Sequence, residues 1–256
     1  MSSMESTSRE PVFLQFGQQP DEPGAIVRPD ARRHYPDDVL ARLRADAEVI
    51  IARYPQARSA LLPLLHLVQA EDGHLTPAGI EFCALAVGLT SAEVMAVATF
   101  YSMYRREPTG DYLVGVCTNT LCAVMGGDAI HAALTEHLAD DPGSVTLEHI
   151  ECNAACDYAP VMMVNWEFMD NQTPESAVRV VDDLRAGTEV HSTRGPRLCT
   201  WREAERVLAG FPDDRADEGP AAGGPSLVGL RIARENGWTA GGTYDRRDQG
   251  AKGENS

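Results

Sequence analysis

Residues 112–122 read YLVGVCTNTLC and residues 145–156 read VTLEHIECNAAC. The first opens on a short apolar run and the second on an alternating one, the patterns of a buried and a half-buried strand. Each ends on a close pair of cysteines, Cys117 with Cys122 and Cys152 with Cys156. Between them, from about Gly127, the residues Ile130, Ala133, Leu134 and Leu138 lie on one helical stripe. Strand, helix, strand is a βαβ unit, and its right-handed crossover makes the two strands parallel neighbours. Both cysteine pairs then fall at the same, C-terminal edge of one sheet.

Working outward, residues 160–166 (PVMMVNW) predict a third strand and Glu167 to Asp170 the start of a fourth. Thr173-Pro174 caps a helix through Ala177, Val180, Val181 and Leu184 that stops at Gly187. Upstream, Val39, Leu40, Leu43, Ala47, Ile50, Ile51 and Tyr54 have helical spacing, and Pro55 ends that helix. A second apolar helix runs from about Ser59 to Ala70, Thr76-Pro77 caps a third, and Thr90 with Glu93 has capping-box spacing for a fourth. The chain therefore divides into an irregular N-terminal arm (1–35), a helical bundle (36–107), a compact α/β unit (108–190) and a C-terminal extension (191–256). Within the extension Thr200 and Glu203 predict a short helix to Leu208. From Phe211 onward no apolar stripe exceeds Leu227 to Ile232, so the extension is expected to be largely disordered.

The 256 residues carry 22 basic and 38 acidic side chains, a formal charge of −16. That field repels phosphate backbones and acidic lipid surfaces, so neither nucleic acid nor direct membrane insertion is expected. The longest nearly apolar run, Ala60 to Ala70, is interrupted by Pro63 and His66 and falls far short of the roughly 20 residues that span a bilayer. Met1 to Glu10 is polar, without the apolar core of a signal peptide. The composition predicts a soluble cytoplasmic protein.

Six cysteines are too few for a disulfide scaffold, and the cytoplasm keeps ordinary thiols reduced. A thioredoxin-type dithiol needs Cys-x-x-Cys, which is absent. Zinc accepts pairs of this local spacing but usually on small hairpins, without a whole crossover between the pairs. An iron–sulfur cluster takes four thiolates on two irons, and wider pairs suit two metals side by side. Spacing and topology favour iron–sulfur and leave zinc open.

The pattern Cys-x4-Cys, Cys-x3-Cys, Ala159-Pro160 resembles the thioredoxin-like [2Fe-2S] ferredoxins. Residues 59–69 (SALLPLLHLVQ), residues 97–103 (VATFYSM), and Asn165 with Thr173-Pro174-Glu175 resemble the cluster-bearing E subunits of bacterial NADH:quinone oxidoreductase, respiratory complex I. The resemblance covers about residues 37–186. It implies an α+β fold, a helical bundle followed by a thioredoxin-like domain. It further implies that Cys117, Cys122, Cys152 and Cys156 ligate one [2Fe-2S] cluster close to the flavin of a partner. FMN and NADH would bind that flavoprotein subunit, an iron–sulfur subunit would be the other neighbour, and the complex would hold the chain at the inner face of the cell membrane. A diaphorase-type subunit of an NAD-linked hydrogenase or formate dehydrogenase has the same chemistry, and a zinc-stabilised interaction module is the reading from a different class. The family usually has glycine where this chain has Ala154, which bears on a backbone donor to a cluster sulfur and hence on potential.

The remaining candidates read as scaffold. Gly126-Gly127 lacks a phosphate-loop pattern and instead lets backbone pass close to the cluster. His66 and His74 have no second ligand at metal spacing, Cys83 sits in an apolar helix, and nothing activates Cys199. Met162-Met163 reads as core and Asp182-Asp183 as a solvated face. With no nucleophilic triad and no nucleotide fingerprint, the chain is expected to have no catalytic residue of its own. Electron transfer is what it can do, with the apolar residues around Phe100 to Tyr104 as the expected docking face.

Overall fold

The computed structural model describes residues 31–213, 215, 218–219 and 222–238. The arm expected over 1–35 lies, except at its end, outside the described residues, as does the last part of the extension.

The helical half consists of α1 (Asp37–Ile51), a 3-10 turn (Ala57–Ala60), α2 (Leu61–Asp72), α3 (Pro77–Val87) and α4 (Ser91–Phe100). Its boundaries follow from capping chemistry. The Thr76 hydroxyl accepts the Gly79 N–H at 3.1 Å, and Thr90 and Glu93 close a reciprocal box. Leu43, Ile50, Leu64, Leu65, Val68, Cys83 and Val94 share one buried core.

The second half is β1 (Tyr112–Cys117), α5 (Thr120–Val124), α6 (Gly127–His137), β2 (Val145–Ile150), a 3-10 turn (Cys156–Tyr158), β3 (Met162–Val164), β4 (Glu167–Met169) and α7 (Pro174–Arg185). The sheet order is β2-β1-β3-β4. β1 and β2 are parallel with Cys117 opposite Ile150, while β3 is antiparallel to both β1 and β4. Val114, Val116, Ile130, Leu134, Met162, Val164 and Val181 form the core between the sheet and its helices. The fold is α+β, as the sequence predicts.

The third strand is shorter than expected. Asn165 (φ 47°) and Trp166 (φ 74°) form a two-residue turn between β3 and β4. Left-handed backbone costs an L-residue about 1–2 kcal/mol, and tertiary bonds offset it here. The Asn165 side chain accepts the Leu113 N–H at 2.8 Å and donates to the carbonyls of Asp111 (2.9 Å) and Cys199 (2.7 Å).

The short helix predicted from Thr200 to Leu208 forms, and what the sequence did not show is how it packs. Beyond α7 the chain forms α8 (Trp201–Leu208), which packs on α2 and joins the two halves. Trp201 is fully buried and donates its indole N–H to the Gly73 carbonyl at 2.8 Å. Glu205, also fully buried, accepts from Gln69 at 2.7 Å and sits 2.6 Å from Nδ1 of His66. His66 is thus bound within the fold rather than available as a ligand. Phe211 packs on the bundle core, with the Arg53 and Arg206 guanidiniums over its ring. Disorder, expected of the chain from Phe211, does not describe Phe211 itself, and the few large residues of α8 fill a seam whose other wall is more than a hundred residues away. Residues 224–235 form α9 (Gly224–Glu235), in which Leu227, Val228, Leu230 and Ile232 stay exposed. Among the described residues no single helix is long and apolar enough to cross a membrane.

Candidate metal centre

The parallel pairing of β1 and β2 brings both cysteine pairs to one sheet edge. Cys117 is the last residue of β1, and its N–H donates to the Val161 carbonyl at 3.1 Å. Cys122 follows on α5, a five-residue helix too short to announce itself by periodicity. Both side chains are buried, at 1% and 3% exposure. α6 starts directly against them: a Cβ on Gly127 would lie 2.4 Å from the Cys117 carbonyl oxygen and 2.9 Å from that of Cys122. Only glycine fits at Gly127, whereas a Cβ on Gly126 would meet nothing within 4 Å and glycine is favoured there by its φ of 115°.

Cys152 and Cys156 are exposed, on the loop between β2 and β3. Their sulfurs stand 3.8 Å apart. Two thiolates on one tetrahedral metal, each at about 2.3 Å, are separated by about 3.8 Å. The Ala154 N–H points at Cys152 Sγ from 3.4 Å, and Ala154 has φ 56°, the left-handed region that glycine occupies freely. The buried Ala155 packs with Cys117, Cys122 and Val161 and anchors this loop to the first pair.

The two pairs sense each other. Burial pushes the Cys117 thiol above its ordinary range, an Asn119 N–H opposes this, and Cys122 and Cys152 add to the rise. Cys156 is pushed up first by Cys152, with burial and Cys117 contributing less. Thiols that disfavour each other's ionisation are what a cation between them relieves. Among the described residues no three His, Cys, Asp or Glu donors are drawn tightly around a single point. The donors stand as two pairs, the arrangement that suits two metals side by side. Cys83, buried in the bundle, and Cys199, half-buried beside Arg215, lie apart; burial pushes both thiols up.

The model of the thioredoxin-like [2Fe-2S] ferredoxin family matches residues 47–185, spanning most of the helical half and all four paired cysteines. The chain belongs to that family. With membership comes one [2Fe-2S] cluster, and four thiols in two pairs are a donor set that fits it. A family relative, the E subunit of NADH-quinone oxidoreductase from Mycobacterium tuberculosis (strain ATCC 25618 / H37Rv), is 64% identical over 234 residues, covering 89% of this chain and 93% of its own. NADH-quinone oxidoreductase subunit 2 of Thermus thermophilus is 38% identical over 161 residues, 59% of this chain and 89% of the relative. Among solved structures, an NAD+-reducing [NiFe]-hydrogenase in the air-oxidized state overlaps 50% of this chain and 23% of its own at 20% identity and TM-score 0.44. Both α8 and α9 lie beyond the family model's match.

Proposed function

We propose that this chain is an electron-transfer subunit of the NADH dehydrogenase module of NADH:quinone oxidoreductase, with Cys117, Cys122, Cys152 and Cys156 as the four ligands of its cluster. The observation that carries the assignment is the parallel β1–β2 pair with a cysteine pair at the C-terminal end of the first strand and another just beyond that of the second. Identity of 64% to relatives named for that complex supports the placement.

When bound, the cluster supplies one-electron acceptance and donation. The protein contributes the rest. The β1 end and α6 fix the first pair, Ala155 docks the second pair's loop, and the Ala154 N–H sits where it can hydrogen-bond a ligand sulfur. No residue here is assigned to substrate chemistry. NADH delivers a hydride, so a two-electron acceptor must divide the pair before a one-electron centre receives any of it. FMN and NADH therefore belong on a partner flavoprotein, with an iron–sulfur subunit as the second neighbour and the whole peripheral to the inner face of the membrane. Oxidoreductase activity is in this reading a property of the complex.

The test is iron and sulfide content, with reduction, of the full chain. A red-brown protein with two irons, bleached by a strong chemical reductant and by NADH only once the flavoprotein is added, is expected. Colourless protein containing zinc would overturn the assignment, as would rapid bleaching by NADH of the chain alone. Co-purifying hydrogenase or formate dehydrogenase subunits would move the cluster to that alternative complex.

A further inference from the structure

Asn119 stands at the N-cap of α5, between the cysteines of the first pair, yet its side chain accepts no hydrogen bond from the helix. Asparagine is among the best N-cap residues because its carbonyl usually takes such a bond. Here the side chain is turned across the site. Its amide donates to the Ile150 carbonyl at 3.4 Å and to the Glu151 carboxylate at 3.1 Å, and Glu151 immediately precedes Cys152. The same residue lies between Cys117 and Cys122 on the first loop. One residue thus touches both halves of the site.

We infer that Asn119 is a positioning residue which ties the loop of Cys152 and Cys156 to that of Cys117 and Cys122 and holds the Glu151 carboxylate beside the redox centre. This rests on the four cysteines being the ligands. The second loop needs such a tie, because both its cysteines are exposed and Ala154 holds a backbone conformation that opposes it. A fixed negative charge beside the centre disfavours the arrival of an electron and so lowers the potential.

The experiment uses the full-length chain with its cluster assembled, and reads two quantities: the rate of iron release to a chelator and the midpoint potential. Asn119→Ala, which keeps the backbone N–H but loses the tie, should release iron about tenfold faster and titrate at a higher potential. Glu151→Gln still accepts the Asn119 bond but loses the charge. It should release iron at the wild-type rate while favouring reduction about threefold to tenfold, a rise of up to ~59 mV. Asn119→Asp sets two carboxylates against each other and should release iron fastest. Combining it with Glu151→Gln exchanges donor and acceptor at unchanged net charge and should restore much of the retention. An Asn119→Ala protein indistinguishable from wild type in both quantities would overturn the inference, as would a double variant no better than Asn119→Asp. Wild-type protein that holds no iron would instead overturn the ligand assignment on which this one rests.

Discussion

The two cysteine pairs are alike in sequence and opposite in setting. Cys117 and Cys122 are buried between a strand end and the start of α6, where even a methyl group on Gly127 has no room. Cys152 and Cys156 are exposed on an irregular loop that carries a left-handed alanine. The first pair is positioned by the same packing that makes the fold, so its geometry is as stable as the core. The second depends on a few local contacts: Ala155 in the small cluster beneath it, the Asn119 tie, and Ser226 of α9 hydrogen-bonded to Asp157 at 2.5 Å. If the four cysteines are the ligands, half of the site is held by the core and the other half by these local contacts.

The sharpest test of that contrast separates cluster content from the stability of the metal-free chain. Alanine at any of the four positions should reduce iron and sulfide to near zero, while Cys83→Ala and Cys199→Ala keep both. Metal-free stability, measured by denaturant unfolding, should fall by about 1 kcal/mol for Cys117→Ala and stay unchanged for Cys152→Ala. Equal losses in both would break the comparison. A change distant from both pairs sets the scale: Trp201→Ala empties the seam and should cost about 3–5 kcal/mol, lowering the whole transition without favouring either pair.

Gly127→Ala presses on the first pair alone. Its methyl would meet two carbonyl oxygens that cannot both retreat, so a loss of about 1–3 kcal/mol and a weakened cluster are expected. Unchanged unfolding there would mean that the buried pair is looser than its packing indicates. Ala154→Gly acts on the second pair in the opposite sense. Relief of the left-handed conformation should favour the native loop by about 1 kcal/mol and slow iron release, with little movement of the unfolding midpoint if the loop is energetically separate from the core.

The smallest effect is expected at Glu203, which caps α8 by accepting the N–H and hydroxyl of Thr200 at 2.8 Å each. Those bonds, the backbone one first, hold its carboxyl below the ordinary value of 4.5. A lowered folded-state value contributes stability that is fully present above about pH 4.5 and is lost as pH falls through it. Glu203→Gln should therefore cost less than about 1 kcal/mol at neutral pH and flatten the loss of stability on acidification. Iron release from either pair at pH 7 should not change, because α8 contacts neither.

The order of elements was legible because most of them are local devices. Thr76-Pro77, the Thr90–Glu93 box and Thr173-Pro174 mark helix starts through bonds made within four residues, and each forms in the structure as read. The β1–α6–β2 crossover has one favoured hand, so two strand patterns and a helical stripe were enough to bring both cysteine pairs to one edge. Two parts of the site were not legible in this way. α5 is a single short turn, and the direction of the Asn119 side chain depends on what the neighbouring loop offers it.

By itself, then, the sequence determined where most helices and strands lie, that the fold is α+β, and which four sulfurs could meet, since these follow from near-neighbour chemistry and chain handedness. Tertiary structure alone decided which pair is buried and which exposed, that Asn165 and Trp166 turn rather than extend, and that Trp201 and Glu205 close the seam on His66 and Gln69. A buried carboxylate and a left-handed tryptophan are unfavourable taken alone. They are tolerated here only because groups remote in sequence supply their partners, and no local pattern records such a partner.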